Sequence, residues 1–123
     1  MNEPMNKLYA QYLPAIKKQW QAEQAGWEQR RQRAWKVARQ IAAMLRTAYG
    51  AKQIIVFGSL AATGPFDACS DLDLAVSGIP FDKFFRAYVD AMDIAQDFKL
   101  DLLDLADCPT TMRESICAKG ISL

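Results

Sequence analysis

Apolar residues in the first part of the chain recur every three or four positions, which is the spacing of an amphipathic helix. One stretch covers residues 5–25, where Pro14 lies either in a first helical turn or at a break. Its apolar positions are Leu8, Tyr9, Tyr12, Leu13, Ile16 and Trp20. A second, stronger stretch covers residues 27–49, and Gly50 is suited to the position after its end. We therefore predict two helical segments that meet at a weak point, Gly26.

The rest of the chain alternates short apolar runs with helical patterns. The predicted strands are residues 53–57, 71–77 and 99–105, with a short last strand at 121–123. Between the first two strands, residues 60–70 form a loop with one short turn of helix. This order of elements predicts an α/β (α+β) fold in which helices cover at least one side of a sheet.

Two further helices are predicted in this part of the chain. Residues 81–98 carry an apolar stripe that we interpret as core, with Asp82 as a candidate cap. The stripe consists of Phe81, Phe84, Phe85, Tyr88, Met92, Ala95 and Phe98. The sequence Thr111-Met-Arg-Glu114 matches a capping box, which predicts a short helix over residues 111–118 that Gly120 ends.

Composition narrows the chemistry that this chain can perform. It has no histidine, and its three cysteines show no paired spacing, which disfavours imidazole catalysis, a zinc site and a disulfide framework. No apolar run has the length of a membrane span and no secretory signal is seen, so the expected location is the cytoplasm. Residues 1–60 hold ten Lys and Arg against three Asp and Glu, whereas residues 61–123 hold five against eleven. Either two faces of one domain attract each other, or an acidic cluster binds cations while basic helices meet an anion or a partner.

Two aspartates interrupt the otherwise apolar second strand. Because side chains alternate along a strand, Asp71 and Asp73 point away from Leu72 and Leu74, with a backbone separation of about 6.6 Å. Like charges this close repel each other, and a divalent cation between them reverses that effect. Oxygen ligands suit Mg²⁺ or Mn²⁺, so the pair predicts a metal site.

The neighbouring segments supply further groups for such a site. If the third strand lies beside the second, Asp101 joins Asp71 and Asp73, whereas Asp104 points to the other side. Three carboxylates can hold two ions about 4 Å apart, the arrangement that stabilises a phosphoryl displacement. The Gly-Ser turn at residues 58–59 is expected to let phosphate oxygens approach the backbone and accept hydrogen bonds there.

The order strand, Gly-Ser, eleven residues, Asp-x-Asp and a later Asp resembles the motif of the nucleotidyltransferase superfamily that includes DNA polymerase β. The C-terminal segment, FKLDLLDLADCPTTMRESICAKGISL, resembles the signature of its small stand-alone members, the minimal nucleotidyltransferases. The similarity implies a nucleotidyltransferase fold, a small mixed β-sheet with helices packed on it. This domain would span residues 35–123 and follow a helical extension of residues 1–34.

The resemblance also implies a reaction and roles for individual residues. The catalytic and metal-binding residues would be Asp71, Asp73 and Asp101, and the nucleotide-binding residues would be Gly58, Ser59 and Ser70. The cofactor would be Mg²⁺, as two ions, or Mn²⁺, and the substrate would be ATP. The enzyme would transfer AMP to a hydroxyl group that Asp101 helps to deprotonate.

Small members of this superfamily often act as antitoxins, so the implied partner is a HEPN-domain toxin in a hetero-oligomer. The antitoxin would inactivate the toxin by attaching AMP to a tyrosine, by binding it, or both. Leu60 stands where many members have a basic residue after Gly-Ser, which motivates the alternative of an inert antitoxin that acts by binding. A transferase for a small molecule or RNA is a weaker alternative. No membrane and no direct nucleic-acid partner are expected.

Overall fold

The computed structural model of the protein describes the backbone of residues 3–123 and the side chains of residues 12–123. The described helices are α1 (Glu3–Tyr49), α2 (Phe81–Ala95) and α3 (Thr110–Lys119), and the strands are β1 (Gln53–Phe57), β2 (Leu72–Ser77), β3 (Leu100–Asp104) and β4 (Ile121–Ser122). The strands form one sheet in the order β3-β2-β1-β4. β2 and β3 are parallel, and the other two pairs are antiparallel. The mixed sheet with packed helices is therefore confirmed.

Helix α1 is continuous, so the predicted division at Gly26 is wrong. Its 47 residues, with Pro14 inside, extend over about 70 Å at 1.5 Å per residue. One glycine costs a helix only about 1 kcal/mol, which the flanking residues with good helix propensity offset. Of the first apolar stripe, Leu8 and Tyr9 lie outside the described side chains, and Trp20 is exposed.

The main core lies between one face of the sheet and helices α1 and α2. Its members on α1 recur at helical spacing and are Ala34, Ala38, Ile41, Ala42 and Leu45. Strand β2 contributes Leu72, Leu74 and Val76. The opposite face of the sheet carries a smaller cluster made of Ile55, Ala75, Leu105 and Ile116, with Ile116 supplied by α3. The sheet is thus covered fully on one face and in part on the other.

Helix α2 confirms only part of its apolar stripe as core: Phe84 and Tyr88 pack against the main core and Ala95 and Phe98 are buried in it, whereas the rest of the stripe is exposed. It packs through small residues, Ala87, Ala91 and Ala95, which are all buried. Phe81 and Phe85 are instead 84% and 80% exposed. Small side chains let the helix approach the sheet and α1 closely. An apolar face, with Val89 and Met92 as its other exposed members, is left open to solvent in the described part of the chain.

The predicted helix caps are also wrong. Pro80 and Pro109 occupy the N-cap positions of α2 and α3, and neither helix has a side-chain capping bond. Asp82 therefore lies in the first turn of α2, where a negative charge favours the positive end of the helix dipole. Thr111 lies inside α3, which starts one residue earlier than expected. Over the described residues, none of the helices combines the length and apolarity that crossing a bilayer requires.

Two glycine substitutions test the continuous α1. Gly26→Ala should raise the free energy of unfolding by up to about 1 kcal/mol, because a Cβ there meets no atom within 4 Å and Ala favours helix. Gly50→Ala is the matched control: its surroundings are equally open, but its φ of +70° should make alanine destabilising by about 1 kcal/mol. Urea unfolding followed by circular dichroism measures both. A destabilising Gly26→Ala would contradict a helix that runs through this position.

Candidate active site

Two predicted carboxylates lie side by side in the sheet. The parallel register of β2 and β3 pairs Asp73 with Asp101. Neighbouring strands are about 4.8 Å apart, and the residues of such a pair point to the same face. This is the face of Ala75 and the smaller cluster, opposite to the main core. Asp71 directly precedes β2. The structure thus brings the three residues together, while their catalytic role stays a prediction.

The electrostatics of Asp73 reflect this crowding. Its side chain is half-buried, and loss of solvation raises its pKa from 3.8 to about 6, with further upward contributions from the negative charges of Asp101 and Asp71. A carboxylate that is hard to ionise because other carboxylates surround it is stabilised by any cation that binds between them.

The donor chemistry fits a hard divalent cation, although the side chains are not gathered around one. Among the described residues, no group of three or more acidic, histidine or cysteine side chains converges closely enough to hold a metal ion. Asp71, Asp73 and Asp101 offer only oxygen ligands, which Mg²⁺ prefers. Holding an ion therefore requires rotation of these side chains, which the partly open face of the sheet allows.

Gly58 lies next to the Asp73 carboxylate and so brings the Gly-Ser turn close to the predicted metal ligands. Its φ is +69°, a conformation that glycine adopts without strain. A Cβ at this position would overlap Oδ2 of Asp73 and stand 3.2 Å from its Cγ. The register explains the proximity, because Phe57, the preceding residue, pairs with Asp73 across β1 and β2. Glycine is required here because the Asp73 carboxylate occupies the space of its side chain.

The loop after the Gly-Ser turn is held by an arginine from α1. Nη1 of Arg31 lies within hydrogen-bond distance of the carbonyl oxygens of Leu60 at 2.9 Å, Ala62 at 2.8 Å and Ser59 at 3.3 Å. Its Nη2 donates to the carbonyl of Gly64. Sequence reasoning missed this residue because its partners lie 28 or more positions away and no local pattern announces the contact. Arg31 also lies before the predicted domain boundary at residue 34, so contacts with the site cross that boundary.

Two other predicted residues have hydrogen-bond partners within the fold. Oγ of Ser70 accepts from the backbone N–H of Asp67 at 3.2 Å and donates to its carboxylate at 3.3 Å. Oδ1 of Asp104 accepts from the backbone N–H of Ala106 at 3.0 Å, which caps the short 3₁₀ turn after β3. The role of Ser70 in nucleotide binding stays a prediction, and Asp104 has a structural role away from the carboxylate pair.

A cleft opens beside the Gly-Ser turn, between the loop and α3. Its volume of about 770 Å³ is in the range of small-ligand sites. The lining residues are Phe57, Gly58, Ser59, Ala61, Ala62, Thr63, Ser115, Ile116 and Lys119. Sequence reasoning missed Ser115 and Lys119 as part of the site, since they follow Ser59 by more than fifty residues. Leu60 is 1% exposed and faces the main core.

The comparison with protein families identifies this arrangement. The family described as Polymerase beta, Nucleotidyltransferase matches residues 39–123. The chain belongs to the polymerase beta nucleotidyltransferase family. The match covers the whole sheet, the Gly-Ser turn and the three carboxylates, and it starts within α1. This nucleotidyltransferase therefore has a helical segment, including Arg31, that precedes the matched region.

Solved structures share the fold. A protein described as a minimal nucleotidyltransferase is 26% identical with a TM-score of 0.57, over 79% of this chain and 95% of that one. A mutant MntA–HpeT toxin–antitoxin complex matches at 20% identity and a TM-score of 0.56, over 69% of this chain and 70% of that one. The tri-AMPylated HEPN toxin of Shewanella oneidensis in complex with MNT antitoxin matches at 20% identity and a TM-score of 0.54, over 72% of this chain and 70% of that one. The comparison with curated proteins found no match.

The raised pKa of Asp73 predicts a pH-dependent stability. Folded Asp73 binds a proton more tightly than unfolded Asp73, so the free energy of unfolding should fall as pH rises from 3.8 to about 6. Asp73→Asn removes this loss and should stabilise the metal-free protein by about 1 kcal/mol above pH 6, after allowance for solvent screening. Urea unfolding in EDTA at pH 4 and pH 7.5 measures the difference.

The control for this experiment is Asp104→Asn, which changes the same charge but retains an oxygen for the cap of the 3₁₀ turn. It should not reproduce the gain at pH 7.5. If Asp73→Asn raised the free energy of unfolding equally at both pH values, ionisation of the Asp73 carboxylate would not be what destabilises the protein.

Proposed function

We propose that this protein transfers AMP from ATP to a tyrosine hydroxyl of a HEPN-domain toxin and acts as its antitoxin. The observation that carries the proposal is the pairing of Asp73 with Asp101 directly beside the Gly58 turn, in a chain of the polymerase beta nucleotidyltransferase family. That combination places candidate metal ligands next to a candidate phosphate site.

The chain's own residues have distinct parts in this reaction. The backbone N–H groups of Gly58 and Ser59 and the hydroxyl group of Ser59 hold the triphosphate in the cleft, with its α-phosphorus toward Asp73. The Asp101 carboxylate accepts the proton of the tyrosine hydroxyl. The oxygen then forms a bond to the α-phosphorus, the bond to the bridging oxygen breaks, and pyrophosphate leaves.

Two Mg²⁺ ions held by Asp71, Asp73 and Asp101 would supply charge neutralisation for the attacking and leaving oxygens. The all-oxygen donor set supports this part of the proposal, and so do the burial and the neighbouring negative charges that raise the pKa of Asp73. Mn²⁺ has the same ligand preference and is expected to substitute.

Two observations support a protein partner. Structural neighbours are an MNT antitoxin in complex with an AMPylated HEPN toxin and a MntA–HpeT toxin–antitoxin complex. In addition, Phe81 and Phe85 on α2 are far more exposed than aromatic side chains usually are, which favours a binding surface for another protein. We place the pair in the cytoplasm, where ATP is available and the free thiols of Cys69, Cys108 and Cys117 stay reduced.

Transfer is tested by incubating the protein with a purified HEPN-domain toxin, Mg²⁺ and ATP labelled at the α-phosphate. The toxin should become labelled at tyrosine, whereas ATP labelled at the γ-phosphate should leave it unlabelled. Asp73→Asn should reduce labelling by about 100-fold or more. Loss of a residue that only contacts a metal ligand already costs up to about 100-fold, and Asp73 is a proposed ligand itself. Asp104→Asn should retain labelling, because its carboxylate caps a turn outside the site. Absence of α-label on the toxin, or label that survives Asp73→Asn, contradicts the proposal.

A second candidate function is neutralisation of the toxin by binding alone. The specific observation is that the exposed face of α2 and the carboxylates lie on opposite sides of the sheet, so binding does not require the chemical site. Leu60 supports this candidate as well, since it puts a buried leucine where many family members have a basic residue.

The α2 surface is tested with Phe85→Ser. Loss of this anchor should weaken the complex with the HEPN protein by about 30-fold or more, the effect of removing a central interface residue. Lys36→Ser is the control, because Lys36 is also exposed on a helix over the same face of the sheet. Calorimetry with the purified partner measures both affinities. An unchanged affinity in Phe85→Ser would place the toxin elsewhere, and an equally weakened Lys36→Ser would remove the special role of the apolar face.

A further inference from the structure

We infer that Lys119, at the end of α3, supplies the positive charge that holds the triphosphate across the cleft from the Gly-Ser turn. The inference rests on the proposed nucleotide site and names a residue for it that lies outside the Gly-Ser and aspartate motif. It concerns the polyphosphate chain of a nucleoside triphosphate.

The first step is the position of Lys119. It lines the 770 Å³ cleft together with Ser115 on α3, and Gly58 and Ser59 line the same cleft. Among the described residues, Lys119 is the only cationic side chain that lines this cleft. A phosphate that accepts bonds from the turn therefore has one lysine available in the same cleft.

The second step is how the fold fixes that position. Gly120 lies against β1, where a Cβ would overlap Cγ2 of Ile55 and stand 3.0 Å from the carbonyl oxygen of Val56. Directly after it, Ile121 pairs with Val56 in the antiparallel β1–β4 ladder. Since β1 leads into Gly58, this packing ties the backbone of Lys119 to the strand that carries the phosphate turn.

The third step is the absence of the other candidate charges. Leu60, at the position where many family members have a basic residue, is buried in the core and cannot face a phosphate. Arg31 reaches the same loop, but its Nη1 and Nη2 point at four backbone carbonyls, and its guanidinium lies 5.8 Å from the ring centroid of Phe66. Arg31 therefore holds the loop through its backbone carbonyls, and Lys119 is the remaining cation that can neutralise the ligand.

The fourth step is the charge of the site. Three carboxylates and a triphosphate together carry more negative charge than two divalent ions neutralise, so a further cation in the cleft lowers the energy of the bound ligand. A flexible lysine acts as a point charge on phosphate from a variable distance, which suits a residue on the rim of an open cleft.

Binding of the Mg²⁺ complex of α,β-methylene-ATP, which cannot undergo transfer, tests the inference by calorimetry. Lys119→Gln should weaken binding about tenfold, the loss expected for one charge-assisted contact, and Lys119→Arg should restore most of the affinity. Lys83→Gln, an exposed lysine on α2, is the matched control and should bind as the unmodified chain does. AMP, which lacks the β- and γ-phosphates, should lose much less affinity than the analogue in Lys119→Gln.

Several outcomes overturn the inference. Unchanged affinity in Lys119→Gln does so, and so does an equal loss for AMP and the analogue, which would indicate a general effect on the cleft. The proposed function and the inference can fail separately. Tight, Lys119-dependent binding without transfer to the toxin contradicts the proposed function and supports the assignment of Lys119. Transfer to the toxin by a Lys119→Gln variant that binds nucleotide normally supports the proposed function and overturns the assignment of Lys119. No nucleotide binding by the unmodified chain overturns both.

Discussion

The parallel pairing of β2 with β3 places two carboxylates next to each other on one face of the sheet, and the rest of the site is arranged around that constraint. Asp73 cannot move away from Asp101, because each lies in a strand whose opposite face is fixed in the main core by leucines. Loss of solvation raises the pKa of Asp73, and the negative charges of Asp101 and Asp71 raise it further. Folding thus provides the energy that holds together groups which repel each other, as expected where a cation is to be bound.

The Gly-Ser turn depends on the same constraint. Gly58 leaves room for the Asp73 carboxylate, so the Gly-Ser turn and the candidate metal ligands are parts of one packing arrangement. The loop that follows has little apolar anchorage apart from Leu60 and Phe66, and Arg31 organises it through backbone carbonyls. The helical segment that precedes the family's matched region therefore takes part in forming the site.

The strands and the outward position of Asp73 could be predicted because side chains alternate along a strand, which leaves one arrangement for Leu72–Ser77: its leucines enter the core and its aspartate faces outward. Helix α2 shows the limit of the same reasoning. Its large apolar residues and its alanines both recur at helical spacing, and the sequence alone does not say which of them are buried: Phe84 and Tyr88 pack against the core, whereas Phe85 is exposed. Gly26 was misjudged because a local glycine penalty is small beside the propensity of a long helix. Arg31 and Lys119 gave no local signal, since their positions depend on contacts distant in sequence.

The exposed apolar residues of α2 lie over one face of the sheet and the carboxylates lie on the other, which matters for how a partner would be bound and modified. A toxin seated on the apolar face of α2 leaves the carboxylate face open, because the sheet and its core separate the two. Under the proposed function, the modified tyrosine would then come from a part of the toxin that reaches around the sheet, or from another copy in the assembly. Binding and modification would in that case contribute independently to neutralisation, and a chain whose transfer activity is weak would still retain a surface that restrains its partner.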